Sequence, residues 1–193
     1  AVAARNIVGV NCTFRYSAPS NPTAPKDAVQ VRRTDGLVAF FGCDASNGAK
    51  DGWSFHEDGA DGMHVLLQDC TGWRNGIDGA TSCNGFTTHD GVRAILLGGD
   101  YGLSRNGTEV HVIQSTRTWA AGSRAVARDI DGTSVAFKCS NDAVLWLQDC
   151  VADAEGPAEN YALEANAGTV FTRGFVVVAG GIEVSPEGSV TPF

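Results

Sequence analysis

Two short segments hold most of the side chains that could do chemistry: His56-Glu57-Asp58 and His89-Asp90. Imidazoles and carboxylates within reach of one another can move protons, and glycoside hydrolysis usually needs two carboxyl groups about 5 to 9.5 Å apart. On that reading Glu57, Asp90 and Asp58 would be the catalytic acids. The same oxygen-rich set could instead hold Ca²⁺. The plainest reading is scaffold, because Asp and His at a repeated turn bond to nearby backbone. The balance favours a binder over an enzyme, with no catalytic residue assigned, no metal site and no other cofactor.

A binder of sugars needs rings, because pyranose faces pack on the apolar faces of aromatic side chains. Trp53, Trp73, Tyr101 and Trp119 stand beside glycine or polar neighbours and, with His56 and His89, are the candidate glycan contacts. Trp146 lies between Leu145 and Leu147 and is expected in the core.

Other chemistries lack their motifs. There is no Gly-x-Ser-x-Gly elbow, phosphate-binding loop, dinucleotide fingerprint or zinc-spaced Cys/His cluster. A net charge of −8 argues against nucleic acid. Arg32-Arg33, the one adjacent basic pair, reads as a solvated strand end. No apolar run approaches the roughly 20 residues of a membrane span, and the start, at Ala1, lacks the pattern of a signal peptide. No membrane partner is expected.

The elements that must position these residues are legible as repeats. Residues 51–57 (Asp-Gly-Trp-Ser-Phe-His-Glu) match residues 84–90 (Asn-Gly-Phe-Thr-Thr-His-Asp), and Leu67-Gln68-Asp69-Cys70 returns as Leu147-Gln148-Asp149-Cys150. Apolar runs end at Cys12, Cys43, Cys70, Gly99 and Cys150, in steps of 31, 27, 29 and 51. The last step is two periods, with its middle member expected within residues 109–119. Asn47-Gly48, Asn75-Gly76 and Asn106-Gly107 keep similar time and are expected to turn one shared corner.

A period in the high twenties with three features in step predicts a single-domain, all-β, right-handed parallel β-helix of six to seven coils. The alternative is an antiparallel β-sandwich, whose strands recur at about 8 to 12 residues. The helix is expected over residues 1–179 with a Pro-rich loop at 17–25, and residues 180–193 are expected to leave the stack as a cap or tail. The cysteines are read as reduced, stacked small hydrophobes, so that Cys70→Ser should cost stability.

Asp51-Gly-Trp-Ser-Phe-His56, residues 82–91 and Leu145-Trp-Leu-Gln-Asp-Cys-Val151 resemble the parallel β-helices of phage tail fibres, tailspikes and virus-like particle spikes, in the pectin-lyase-like group. The resemblance covers roughly residues 27–178. It implies an extracellular protein on the surface of a virion or virus-like particle that binds bacterial capsular polysaccharide during host attachment, beside other particle proteins. Relatives of this kind are often trimers, which makes a homotrimer one implied assembly. The same group also holds glycosidases and lyases that degrade polysaccharide, and shafts without a ligand.

Overall fold

The computed structural model describes residues 6–15, 26–34, 36–57, 62–77, 82–128, 133–156 and 160–193. The Pro-rich segment 17–25 and Asp58 lie outside them. Strands follow one another in threes. The coils are β1 (Ile7–Val10), β2 (Thr13–Phe14) and β3 (Val29–Arg32); β4 (Leu37–Phe41), β5 (Asp44–Ala45) and β6 (Trp53–His56); β7 (His64–Gln68), β8 (Thr71–Trp73) and β9 (Phe86–His89). Then come β10 (Arg93–Leu97), β11 (Asp100–Gly102) and β12 (Thr108–Ile113); β13 (Arg117–Ala121), β14 (Arg124–Val126) and β15 (Val135–Ser140); β16 (Val144–Gln148), β17 (Val151–Asp153) and β18 (Tyr161–Asn166). A last coil of β19 (Thr169–Arg173), β20 (Val176–Ala179) and β21 (Gly181–Val184) is followed by β22 (Ser189–Pro192).

First strands pair with first strands in parallel, second with second and third with third, giving sheets of eight, seven and seven strands. These are faces A, B and C of an all-β parallel solenoid, with no helix among the described residues. The antiparallel sandwich is excluded, because every strand pair among the described residues is parallel.

Alternation decides what each strand buries. In face A, Val38, Val65, Ala94, Leu145 and Val170 stack inward as one ladder, and Phe40, Leu67, Leu96, Ala120 and Leu147 as the next. Burial of these ladders drives folding, because one coil alone has no second layer to cover its inner face.

Face A passes to face B through a two-residue corner. Its first residue is left-handed in every coil: Asn11, Gly42, Asp69, Gly98, Gly122, Asp149 and Gly174, with φ between 51° and 65°. Gly, Asn and Asp reach that region most readily. The second residues are Cys12, Cys43, Cys70, Gly99, Ser123, Cys150 and Phe175, and all the cysteines are free. The missing ladder member is therefore Ser123, reached through β13, whereas residues 109–113 belong to face C. Ser123 Oγ donates to Gly98 O at 2.7 Å, and Cys150 Sγ to Ala120 O at 3.3 Å. Both acceptors are carbonyls of the preceding coil, so a hydroxyl fits this ladder.

The Asn-Gly pairs do not share a corner. Asn47, Arg74 and Leu103 do: each donates its N–H to the next coil, and their φ angles are 58°, 56° and 57°. Asn75 falls one residue later and Asn106 three. Stacking hydrogen bonds hold this corner left-handed even where the side chain is Arg or Leu.

Residues 181–192 do not leave the stack. β21 pairs with β18 and β22 with β19, extending faces C and A by one strand each.

Candidate functional site

Face C assembles the histidine segments as the repeat predicts. Trp53 pairs with Phe86 and His56 with His89 across β6 and β9. Strand alternation points Trp53 and Phe55 inward and Ser54 and His56 outward. The imidazoles stack, with centroids 4.3 Å apart and planes 5° from parallel. His56 Nε2 shares a hydrogen bond with Ser54 Oγ at 2.9 Å, and His89 Nε2 with Thr87 Oγ1 at 3.1 Å. His89 Nδ1 meets Gln114 Oε1 at 3.1 Å, and His56 Nδ1 stands 3.8 Å from Asp90 Oδ2. One coil on, His111 Nε2 meets Ser140 Oγ at 2.9 Å.

Ser54, His56 and Asp90 thus lie in the order of a hydroxyl–imidazole–carboxylate relay, but the arrangement is poor for attack. Ser54 is fully buried, and 3.8 Å is longer than a hydrogen bond. Burial first, and the neighbouring His89 second, lower the His56 pKa to about 4. Burial, with Lys138 nearby, lowers His111 to about 3, and burial also lowers His89. All three imidazoles are neutral at pH 7.

Glu57 is buried and committed. Its Oε1 accepts the N–H groups of Gly62 and of Met63, the latter at 3.2 Å, and so ties the chain as it turns from face C to face A. Asp90, at the equivalent place one coil on, stands in a left-handed corner with φ 60°. Asp51 precedes the segment and is buried. Its Oδ1 accepts from Asn84 N at 2.8 Å and Asn84 Nδ2 at 3.0 Å. Burial first, then the charge of Asp27, push its pKa up to about 7.

Two of the aromatic candidates are core. Trp53 and Tyr101 have no exposed surface, and the Trp53 indole N–H donates to Thr71 O at 2.8 Å. Trp146, expected inside, lies on the outer side: Leu145 and Leu147 point in, so the residue between them points out. Its ring stacks on Phe171 at 5.8 Å and 14°. Trp119 is 43% exposed beside it.

Together these rings belong to an apolar outer stripe of face A: Val8, Leu66, Ile95, Trp119, Trp146 and Phe171, on successive or near-successive strands. Trp119, Trp146 and Phe193 bound a hollow of about 350 Å³. Trp146 and Phe171 are stacked on each other, so each ring already gives a face to its neighbour rather than to a sugar.

Trp73 is the ring set in polar surroundings. It lies on the outer side of face B, packed flat enough on Gly102 that a Cβ there would fall 2.4 Å from its Cζ3. Around it, Asp44, Ser46, Asn47, Thr71, Arg74, Asp100 and Arg124 line a groove of about 420 Å³. Its floor is ordered by side chains: Asp44 Oδ1 accepts from Thr71 Oγ1 at 2.5 Å and from Ser46, and Ser46 Oγ accepts from Trp73 N at 2.9 Å. Arg124 Nη1 stands 3.9 Å from Asp100 Oδ1. Sequence reasoning found Trp73 but none of the other lining residues, which come from four coils and share no motif.

Among the described residues, no group of three or more His, Cys, Asp or Glu is arranged to hold a metal ion. Comparisons with family models, curated proteins and solved structures returned no match. The class defined by the fold is the parallel β-solenoid, and a reading of function rests on its faces.

Proposed function

We propose that this chain is a glycan-binding solenoid module of a spike or fibre on a virion or virus-like particle, and that it holds bacterial surface polysaccharide in the face B groove. The observation that carries this reading is Trp73 laid over Gly102 amid Asp44, Asn47, Arg74, Asp100 and Arg124. An apolar ring with carboxylate, amide and guanidinium groups converging on it matches the two sides of a sugar, C–H face and hydroxyl rim. Binding without cleavage is favoured by the buried Ser54, the committed Glu57 and the neutral histidines. Titration of the purified chain with capsular polysaccharides tests it. Saturable binding that Trp73→Ala removes, with polymer length unchanged after long incubation, is the expected result. Shortened polymer would replace binding by the degrading-enzyme reading, and absence of binding to every bacterial surface glycan tried would end the glycan reading.

The apolar stripe of face A favours a second reading, a shaft whose work is assembly. Packing three copies on this face would cover Trp119 and Trp146, as exposed stripes of this kind are commonly covered. Sedimentation of the wild type against Trp119→Ser/Trp146→Ser separates the two: a trimer that dissociates in the variant supports assembly through face A, and a monomeric wild type excludes it.

A further inference from the structure

A repeat not used so far lies just ahead of the histidine segments. Lys26-Asp27 and Lys50-Asp51 occupy equivalent places in adjacent coils, held by Lys50 N donating to Lys26 O at 3.2 Å and Ala28 N to Asp51 O at 2.8 Å. Just after them, in β3 and β6, Gln30 pairs with Ser54 and Arg32 with His56. The two lysines are thus stacked one rung apart, about 4.8 Å along the solenoid. Like charges held this close repel one another.

These residues surround a concavity. Lys26, Asp27, Gln30, Arg32 and Lys50 line about 450 Å³ of open space on the outer side of face C. Three of the five are cations, in a chain whose net charge is −8. The lining acid, Asp27, is already engaged: its Oδ2 accepts from Gln30 Nε2 at 2.6 Å, and its Oδ1 from Asp51 N at 3.3 Å. Asp51, 3.8 Å from the Lys50 ammonium, is buried and turned to Asn84. Its carboxyl is held toward the neutral form by burial, which weakens it as a counter-charge.

We infer that the pocket formed by Lys26, Lys50 and Arg32 is a binding site for an oxyanion group, a carboxylate or phosphate carried by an acidic ligand. Such a group would relieve the stacked lysine charges and accept the planar donors of a guanidinium, which match carboxylate and phosphate oxygens. The site is separate from the face B groove and does not depend on Trp73. An acidic polysaccharide could reach it through a uronate, and a phosphate ester through its phosphate, by the same chemistry.

Calorimetric titration of the whole chain with tetragalacturonate and with inorganic phosphate, and with a neutral tetrasaccharide as control, tests the assignment. The wild type should bind at least one acidic probe saturably. Lys26→Gln/Lys50→Gln should weaken that binding by about tenfold or more, and Trp73→Ala should leave it unchanged. Tetragalacturonate without phosphate identifies an acidic sugar as the ligand class. Phosphate binding that tetragalacturonate displaces identifies a general oxyanion site. Without probe, removing the like-charge ladder should hold or raise Tm. The assignment is overturned if neither acidic probe binds at millimolar concentration, if the double variant binds as the wild type does, or if it loses binding together with Tm, which would make the lysines structural. Failure here leaves the Trp73 groove untouched, and loss of polysaccharide binding in Trp73→Ala leaves this pocket untouched.

Discussion

Replacing Asp51 by Asn should stabilise the protein, and increasingly so as pH rises. Asp51 is buried, and its pKa is raised from an ordinary 3.8 to about 7. The native state therefore keeps a proton that the unfolded chain releases. What Asp51 contributes to stability is complete below about pH 4 and is lost as pH climbs through 7. A shift of roughly 3 pKa units corresponds to about 4 kcal/mol at the upper limit. Asparagine cannot titrate, and it keeps an oxygen to accept the two hydrogen bonds from Asn84. Its cost is the Lys50 contact, which is 3.8 Å long and 42% exposed on the lysine side, worth little. The expected gain is about 1 to 3 kcal/mol at pH 8 and close to zero at pH 4. For a chain of this size that is roughly 2 to 4 °C of Tm per kcal/mol. Urea denaturation of both proteins at pH 4, 6 and 8 measures it. Equal or lower stability of Asp51→Asn at pH 8 would refute the reasoning, by showing that Asn84 and Lys50 hold the carboxylate ionised without net cost.

The histidines predict the opposite slope. His56 and His111 have pKa values lowered from 6.5 to about 4 and about 3, so the stability they provide is present above pH 6.5 and lost on acidification toward those values. NMR titration of the imidazoles should show both neutral at pH 6, and a midpoint near 6.5 for either would contradict its burial. Gly102→Ala would drive a methyl into the Trp73 ring and should cost about 1 to 3 kcal/mol, with polysaccharide binding falling as in Trp73→Ala. Full binding in that variant would detach the ring position from function. Cys70→Ser, which the sequence alone marks as damaging, should cost less than about 1 kcal/mol by chemical denaturation. Cys70 Sγ already faces Phe40 O at 3.4 Å, and Ser123 holds the same ladder place. A loss of several kcal/mol would show the ladder to require sulfur.

The pairing of residues 51–57 with 84–90 was readable because identical register repeats both polar and apolar types, and parallel stacking turns sequence similarity directly into adjacency. The Asn-Gly pairs mislead for the converse reason. Hydrogen bonds between coils, not the side chain, set the left-handed residue there, so Arg74 and Leu103 stand where Asn47 stands. Immediate neighbours mislead about Trp146, because in a strand the residues on either side point to the opposite face, and Leu145 and Leu147 facing inward turn Trp146 outward.

The sequence by itself determined the period, the solenoid class and the stacked histidine segments, since all three follow from like residues recurring at one spacing. Only the tertiary structure decided which side chains face outward together. The face B groove draws on residues 44, 46, 47, 71, 73, 74, 100 and 124, which become neighbours because coils of unequal length still stack at one rise. Loops between strands absorb the differences in length, and no spacing along the chain records which outward positions the stack will bring side by side.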